Sequence, residues 1–243
     1  MSLIGFQTAL GRTVRARTTA GAAYGDLDLT PDEQRSLQRV IESEGFRATM
    51  NIQRSWCEAR AASGAQLTLS ALPREQRRRL VKEWVDGGGG TNSFFAAEAK
   101  AFLEFIEPRL AVPSHALSLC RLEQAVLRAE AVAMGFAAPD PTALDDPAAT
   151  LRRGRHAALV GLLAEPEALL AAVQNQCPLP ALAACERFLL VAPGAHGLAR
   201  LAEAPDIALW QSLGEPWTVA RLLRRHDRDS IEALWREGAI EAA

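Results

Sequence analysis

ERFLLVAP (186–193), with the GLARLAE (197–203) that follows it, decides the fold. A short apolar run bounded by Pro193-Gly194 reads as a buried strand. After the turn PGAH (193–196), Leu198, Arg200 and Leu201 alternate imperfectly, and a β-hairpin is the economical reading. Just upstream, HAALVGLLA (156–164) is a continuous apolar run that fits a strand or a short helix. Glu165-Pro166 then opens a helix, PEALLAAVQ (166–174). Downstream, DIALWQSL (206–213), PWTVARLLRR (216–225) and DSIEALWREGAI (229–240) read as short helices, the last with Asp229 as its cap. The C-terminal third is therefore expected to hold a short antiparallel sheet among helices.

The preceding two-thirds read as helix. Thr30-Pro31-Asp32-Glu33 is a capping box with proline at the first helical position, followed by the stripe Leu37, Val40 and Ile41, with Gly45 as the stop. Ile52, Trp56 and Ala59 recur at helical spacing in a segment ending near Gly64. Pro73 opens another helix, with Leu80, Val81 and Trp84 on its apolar side and Arg74, Arg77 and Arg78 opposite; Asp86 and GGGG (87–90) end it, the glycines acting as a flexible connector. Phe94/Phe95, Ala101/Phe102 and Phe105/Ile106 mark a helix from Ser93 to about Leu110, limited by Pro108. Pro113-Ser114 begins a long helix to about Met134, with Leu119, Leu122, Val126, Ala129 and Ala133 on one face. Short links favour an antiparallel bundle. The stretch GFAAPDPTALDDPAAT (135–150), rich in proline, aspartate and alanine, reads as a boundary. The expected class is α+β, mostly α: a helical bundle over 1–135, a connection over 136–155 and a small α+β domain over 156–243.

Composition excludes more than it identifies. At 243 residues, 49% hydrophobic and 23% charged, the chain has the make-up of a folded protein with a sizeable core. A net charge of -2 argues against a basic nucleic-acid or membrane-surface protein, so neither nucleic acid nor membrane is an expected partner. No apolar run approaches a membrane span, and the basic residues of MSLIGFQTALGRTVRAR follow its apolar ones, opposite to a secretory signal. A docked amphipathic helix at the start and a cytoplasmic location are the expectations.

Catalytic signatures are scarce. Cys57, Cys120, Cys177 and Cys185 form no CxxC pair, and His115, His156, His196 and His226 form no local metal pair. No GxSxG, HExxH or phosphate-binding loop occurs, and Gly87–Gly90 lacks the following Lys-Ser/Thr. The arginines of 74–79, of 152–155 and of 221–225 read as solvated faces or as contacts for an acidic partner. The small sheet offers a different function, since an exposed edge can take an extended peptide as an added strand. The pairing backbone is then Arg187, Phe188, Leu189, Leu190, Val191 and Ala192 with Gly197, Leu198, Ala199, Arg200 and Leu201, and Leu209, Trp210 and Leu213 wall the groove. The bland reading is that strand and helix bury each other.

QRSWCEARAASGAQLTLSALP (53–73), RRRLVKEW (77–84), TNSFFAAEAKAFLEFI (91–106), SHALSLCRLEQAVLRA (114–129), LLVAPG (189–194) and ALW (208–210) together resemble methanobactin biosynthesis protein C, in matching order over about residues 45 to 240. That family is the non-catalytic partner of an iron-dependent TIM-barrel oxygenase. The resemblance implies a heterodimer in which the partner holds the iron and converts cysteines of a short precursor peptide to oxazolone–thioamide groups of a copper chelator. This chain would hold no cofactor and recruit the precursor's leader by strand addition. Arg54, Trp56, Arg60, His115 and Arg121 are the expected partner surface. Two rivals are a winged-helix-like DNA-binding regulator built on PWTVARLLRR and a stand-alone enzyme using scattered Cys and His.

Overall fold

The computed structural model describes residues 3–16, 24–90, 94–184 and 186–243; Ser93, the expected start of the phenylalanine-rich helix, and Cys185 lie outside them. The chain is mostly helical, with two small three-stranded antiparallel sheets toward the C-terminal end, so its class is α+β with helix dominant. It divides into two compact units, residues 1–64 with 74–105, and residues 65–73 with 106–243.

In the first unit, successive helices pack as neighbours: α1 (Leu3–Ala16), α2 (Pro31–Glu42), α3 (Glu44–Gly64), α5 (Arg74–Asp86) and most of α6 (Phe95–Ile106). The capping box forms as expected, with Thr30 Oγ1 accepting from the Glu33 N–H and the Glu33 carboxylate accepting from the Thr30 N–H. Leu37 and Ile41 then face Ala9, Leu29 and Phe46. Gly45 does not stop this helix. Ser43 does, its Oγ accepting from the Phe46 N–H, so α3 starts at once and Gly45 falls in its first turn. On α3 the expected apolar stripe faces out: Phe46, Cys57 and Ala61 are buried, whereas Ile52 and Trp56 are exposed.

The glycine run after α5 is packed. The buried Glu98 carboxylate accepts from the Gly90 N–H at 2.5 Å and from Trp84 Nε1 at 3.2 Å, while the Gly90 carbonyl accepts from the Cys57 thiol at 3.1 Å. A Cβ on Gly89 would lie 2.1 Å from the Trp84 ring, and Gly88 and Gly90 hold φ of +92° and +83°, so glycine is required on both grounds. Trp84 also packs on Phe102 and Phe105, at centroid distances of 5.7 and 5.2 Å.

The second unit joins α7 (His115–Ala133) to everything after it. Ser114 caps α7 by accepting from the Leu117 N–H. Its Leu119, Leu122, Ala125 and Ala129 then pack against Val160 and Leu162 of β2 (Ala158–Leu162), Leu189 and Val191 of β3 (Arg187–Val191), and Leu169 and Val173 of α8 (Pro166–Gln174). The division therefore falls elsewhere than the expected 136–155 connection, because α7 needs these strands to bury that face. That stretch carries a short turn at Pro141–Asp145 with Leu144 buried, and then β1 (Thr150–Arg153). The short α4 (Gln66–Ser70) also belongs to this unit. It is capped from across the chain by the half-buried Glu123, which accepts from the Leu67 N–H (2.7 Å), the Thr68 N–H (3.0 Å) and Thr68 Oγ1 (2.6 Å). Burial pushes the Glu123 carboxyl above its ordinary range, against the pull of those three donors.

One sheet runs in the order β2-β3-β4, with β4 at Ala199–Leu201; the hairpin expected from residues 186–203 is its β3–β4 half. The other runs β5-β1-β6, with β5 at Trp217–Thr218 and β6 at Ile240–Ala242. Around them pack α9 (Ala204–Ser212), α10 (Val219–Leu223) and α11 (Arg228–Arg236). Asp227, not Asp229, caps α11, its carboxylate accepting from the Ser230 N–H. Arg200 of β4 links three elements through ion pairs to Asp206 (2.6 Å) on α9 and Glu237 (2.8 Å) after α11. Burial works to raise the Asp206 carboxyl, but hydrogen bonds from the Arg200 guanidinium and the Glu203 N–H outweigh it and hold the group below its ordinary value.

Three outcomes follow for urea denaturation. Glu123→Ala leaves two partly buried N–H groups of α4 unpaired and should cost about 1–3 kcal/mol. Arg200→Ala strands the Asp206 and Glu237 charges and should cost about 3–5 kcal/mol. Because the Asp206 pKa is lowered on folding, the stability it contributes is present above about pH 4 and is lost as pH falls through the lower folded value. The wild-type urea midpoint should therefore drop more steeply between about pH 5 and pH 2.5 than that of Asp206→Asn.

Candidate functional site

Strand addition needs backbone groups with no partner, so the position of each strand decides which residues can serve. Arg187 to Val191 cannot, because β3 is the middle strand, paired with β2 on one side and β4 on the other. The Ala192 N–H is also taken, by the Leu198 carbonyl. These residues are corrected from peptide-pairing backbone to the centre of a closed ladder. Gly197 and Leu198 form a tight turn with φ of +62° and +68°, not strand.

Leu209, Trp210 and Leu213 do not wall a groove either. They are 0%, 8% and 2% exposed, in one core with Leu151, Leu190, Trp217 and Leu234. The Trp210 ring carries the Arg153 guanidinium 5.3 Å from its centroid, and Arg153 Nε donates to the Trp210 carbonyl.

Four strands lie at sheet edges: β2, β4, β5 and β6. Hydrogen-bonded pairs alternate along an antiparallel ladder, which identifies the groups that point outward. On β4, the bonds Ala192 N–H to Leu198 O and Ala202 N–H to Phe188 O bracket the Leu190–Arg200 pair, so Ala199 and Leu201 point away from β3. The Leu201 carbonyl is covered by Arg200 Nη1 at 3.2 Å. On β2, Leu159 and Gly161 point away from β3. The edge is fenced at its end, where the Leu163 carbonyl accepts from the Ala183 N–H at 2.7 Å and the Glu186 carboxylate lies over Gly161. The two-residue β5 runs straight into α10.

Strand β6 differs. The bonds Gly154 N–H to Ala239 O and Ala243 N–H to Thr150 O bracket the Arg152–Glu241 pair, so the N–H and C=O groups of Ile240 and Ala242 point away from β1; Ile240 is buried, and Ala242 is the exposed end of this edge. A cleft of about 460 Å³ borders all three β6 residues. Its apolar walls include Val132, Phe136, Pro139 and Trp235, with Arg155 and His156 adding polar groups. Phe136 is fixed between two glycines: a Cβ on Gly194 would lie 2.3 Å from its ring, and one on Gly238 2.5 Å. Gly238, at φ +69°, also turns the chain from α11 into β6. Glu241 holds the strand to β1 by accepting from Arg152 Nε (3.0 Å) and the Arg155 N–H (3.2 Å).

The five expected partner-surface residues separate. Arg54, Trp56 and Arg60 lie on α3, where Trp56 is 66% exposed and Arg60 half-buried, while Arg54 is held by Glu58 and Asp86. Arg121 is exposed on α7 and paired with Glu107. His115 is corrected: it is buried, its Nε2 within 2.8 Å of the Pro180 carbonyl, where it secures the link between α8 and β3. Among the described residues no group of three or more His, Cys, Asp or Glu converges in the manner of a metal site, and no helix is long and apolar enough to cross a membrane.

Sequence reading missed the β6 cleft. IEA (240–242) was hidden behind a helical pattern, and its signal is Gly238, a helix stop followed by an isoleucine at strand spacing. No family model matches the chain, and no curated protein matches it significantly.

Proline substitution tests the edge assignment. Ala242→Pro removes an outward N–H and should shift stability by no more than about 0.5 kcal/mol. Glu241→Pro removes a ladder N–H and should cost about 1–3 kcal/mol in the same urea titration.

Proposed function

We propose that this chain is the non-catalytic, peptide-recruiting subunit of a cytoplasmic two-protein oxygenase complex. Its partner is an iron-dependent TIM-barrel enzyme that converts cysteines of a short precursor peptide to oxazolone–thioamide groups, as in the making of methanobactin-like copper chelators. The single observation that carries the recruiting role is the exposed end of the β6 edge, at Ala242, bordering an apolar cleft. The leader of the precursor adds beside the exposed end of β6, exchanging bonds with the outward N–H and C=O groups of Ala242. Its alternate side chains then enter the cleft lined by Val132, Phe136 and Pro139.

Magnitudes set what such a site needs. A net gain of about 0.5–1.5 kcal/mol per backbone bond barely offsets about 1–2 kcal/mol of ordering per leader residue. Affinity must therefore come from apolar side chains, at about 25 cal/mol per Å² buried. A leader with two large apolar residues at alternate positions fits this requirement.

The structure offers a duplex-reading alternative little support. Helix α10 spans five residues, and its own Arg221 and the following Arg225 fold onto Trp217, their guanidinium groups 3.6 Å and 5.2 Å from the ring centroid. A solvated recognition helix would extend those side chains toward bases.

The test is co-expression with an iron-dependent TIM-barrel oxygenase and a short cysteine-bearing precursor peptide. The complex should bind a synthetic leader, and Ala242→Pro should weaken that binding at least tenfold with little change in Tm. An isolated barrel that is soluble, iron-loaded and fully active on the precursor would overturn the proposal.

A further inference from the structure

The first unit carries a second surface with no use in the peptide site. Helices α3 and α5 pack side by side and leave a groove of about 550 Å³ between them. Its floor is small and apolar, formed by Ala59, Ala62 and Val81, and its α5 side is basic, formed by Arg77, Arg78 and Lys82.

The charges on α5 are arranged at a cost. Arg74, Arg78 and Lys82 follow one another at i, i+4 spacing, and like charges one turn apart destabilise a helix. All three are exposed and make no ion pair among the described residues. By contrast Arg79, on another side of the same helix, pairs with Glu83 at 3.7 Å. The acid lining the groove, Glu58, is already engaged by Arg54 at 3.0 Å. This concentration of positive charge sits in a chain of net charge -2. Beside the groove, α3 exposes Ile52 and Trp56, at 63% and 66%, on adjacent turns.

The geometry points to a docking surface for an acidic, amphipathic helix of the partner protein, and its naming of that partner as the oxygenase rests on the proposed function. Alanines on the floor let a second helix approach closely. Carboxylates of that helix meet Arg78 and Lys82, and its apolar side covers Trp56 and Ile52. An aromatic and an arginine at the centre of a contact are the residue types that dominate interface energies. A nucleic acid would use the cations but leave the indole, the isoleucine and the alanine floor unmatched, so a protein segment is the better fit.

The experiment measures affinity between the intact chain and the barrel oxygenase at low and high salt, for wild type, Arg78→Glu with Lys82→Glu, and Trp56→Ala. All three substituted side chains are exposed, so each variant should keep the wild-type Tm and its leader affinity at β6. The expected result is a wild-type complex that weakens with salt, and at least a tenfold loss of affinity in both variants. Unchanged affinity in both variants would overturn this docking surface while leaving the proposed function standing. Absence of any complex with the wild-type chain would sink that function and this surface together. Loss of binding to a 20-base-pair duplex in the charge variant, with oxygenase binding intact, would reassign the face to nucleic acid and overturn the proposal.

Discussion

Strand β3 is buried on both faces, and the C-terminal unit is arranged around that constraint. Leu189 and Val191 face α7 and α8, while Leu190 faces the core of α9, α10 and α11. A strand apolar on both faces must have cover on both, and it must also have its backbone paired along both edges. The position of β2 and β4 satisfies the second demand, and α7 with α9 satisfies the first. The α7 helix therefore cannot belong to a separate N-terminal bundle: without β2 and β3, Leu119, Leu122 and Ala125 would face water. The same constraint removes Arg187 to Val191 from any role in pairing with a second chain.

What could be read from sequence divides along the range of the interactions. The Thr30 capping box, the Ser114 cap and the α8 start at Pro166 depend on residues within one turn, and each forms where its pattern lies. The β3–β4 hairpin depends on a turn of a few residues, and it too was legible. Strands β1, β5 and β6 were not, because TLRR, WT and IEA carry almost no pattern alone and acquire strand structure only by pairing Leu151 with Trp217 and Ala242. Ile52 and Trp56 show the opposite failure. Their helical spacing was real, but periodicity cannot say which of two faces turns inward, and Phe46, Cys57 and Ala61 fill the interior instead. Leu209, Trp210 and Leu213 were read as a groove for the same reason: an apolar helix beside a sheet edge looks alike whether it covers the protein's own core or a guest.

The glycine run shows how far composition can mislead in a loop. Four glycines in succession suggest freedom, yet Glu98, Trp84 and Cys57 close on residues 89 and 90 so tightly that no side chain fits. The entropy lost in ordering glycine is offset in part by the hydrogen bond that the Gly90 N–H donates to the buried Glu98 carboxylate. Phe136 between Gly194 and Gly238 repeats the device in the C-terminal unit, with the difference that one side of the ring borders the β6 cleft.

Edge strands invite unwanted pairing, and proteins blunt them with charge, brevity or cover. Three of the four edges here are treated in that way. Arg200 bends back over the Leu201 carbonyl, Glu186 and Ala183 stand against β2, and β5 ends after two residues. The β6 edge is also short and its Ile240 is covered, but its outer end at Ala242 is exposed: its one charged side chain, Glu241, is turned into bonds with Arg152 and the Arg155 N–H, which stiffen the strand from the β1 side. An exposed strand end held rigid on its other flank, beside an apolar cleft walled by a glycine-seated phenylalanine, is a poor arrangement for a protein that must avoid strand partners. It is a good one for a protein that must accept one. Selectivity would then rest on the cleft, since main-chain bonds are the same for every sequence, and the spacing of Phe136 and Pro139 along β6 would decide which extended segment stays.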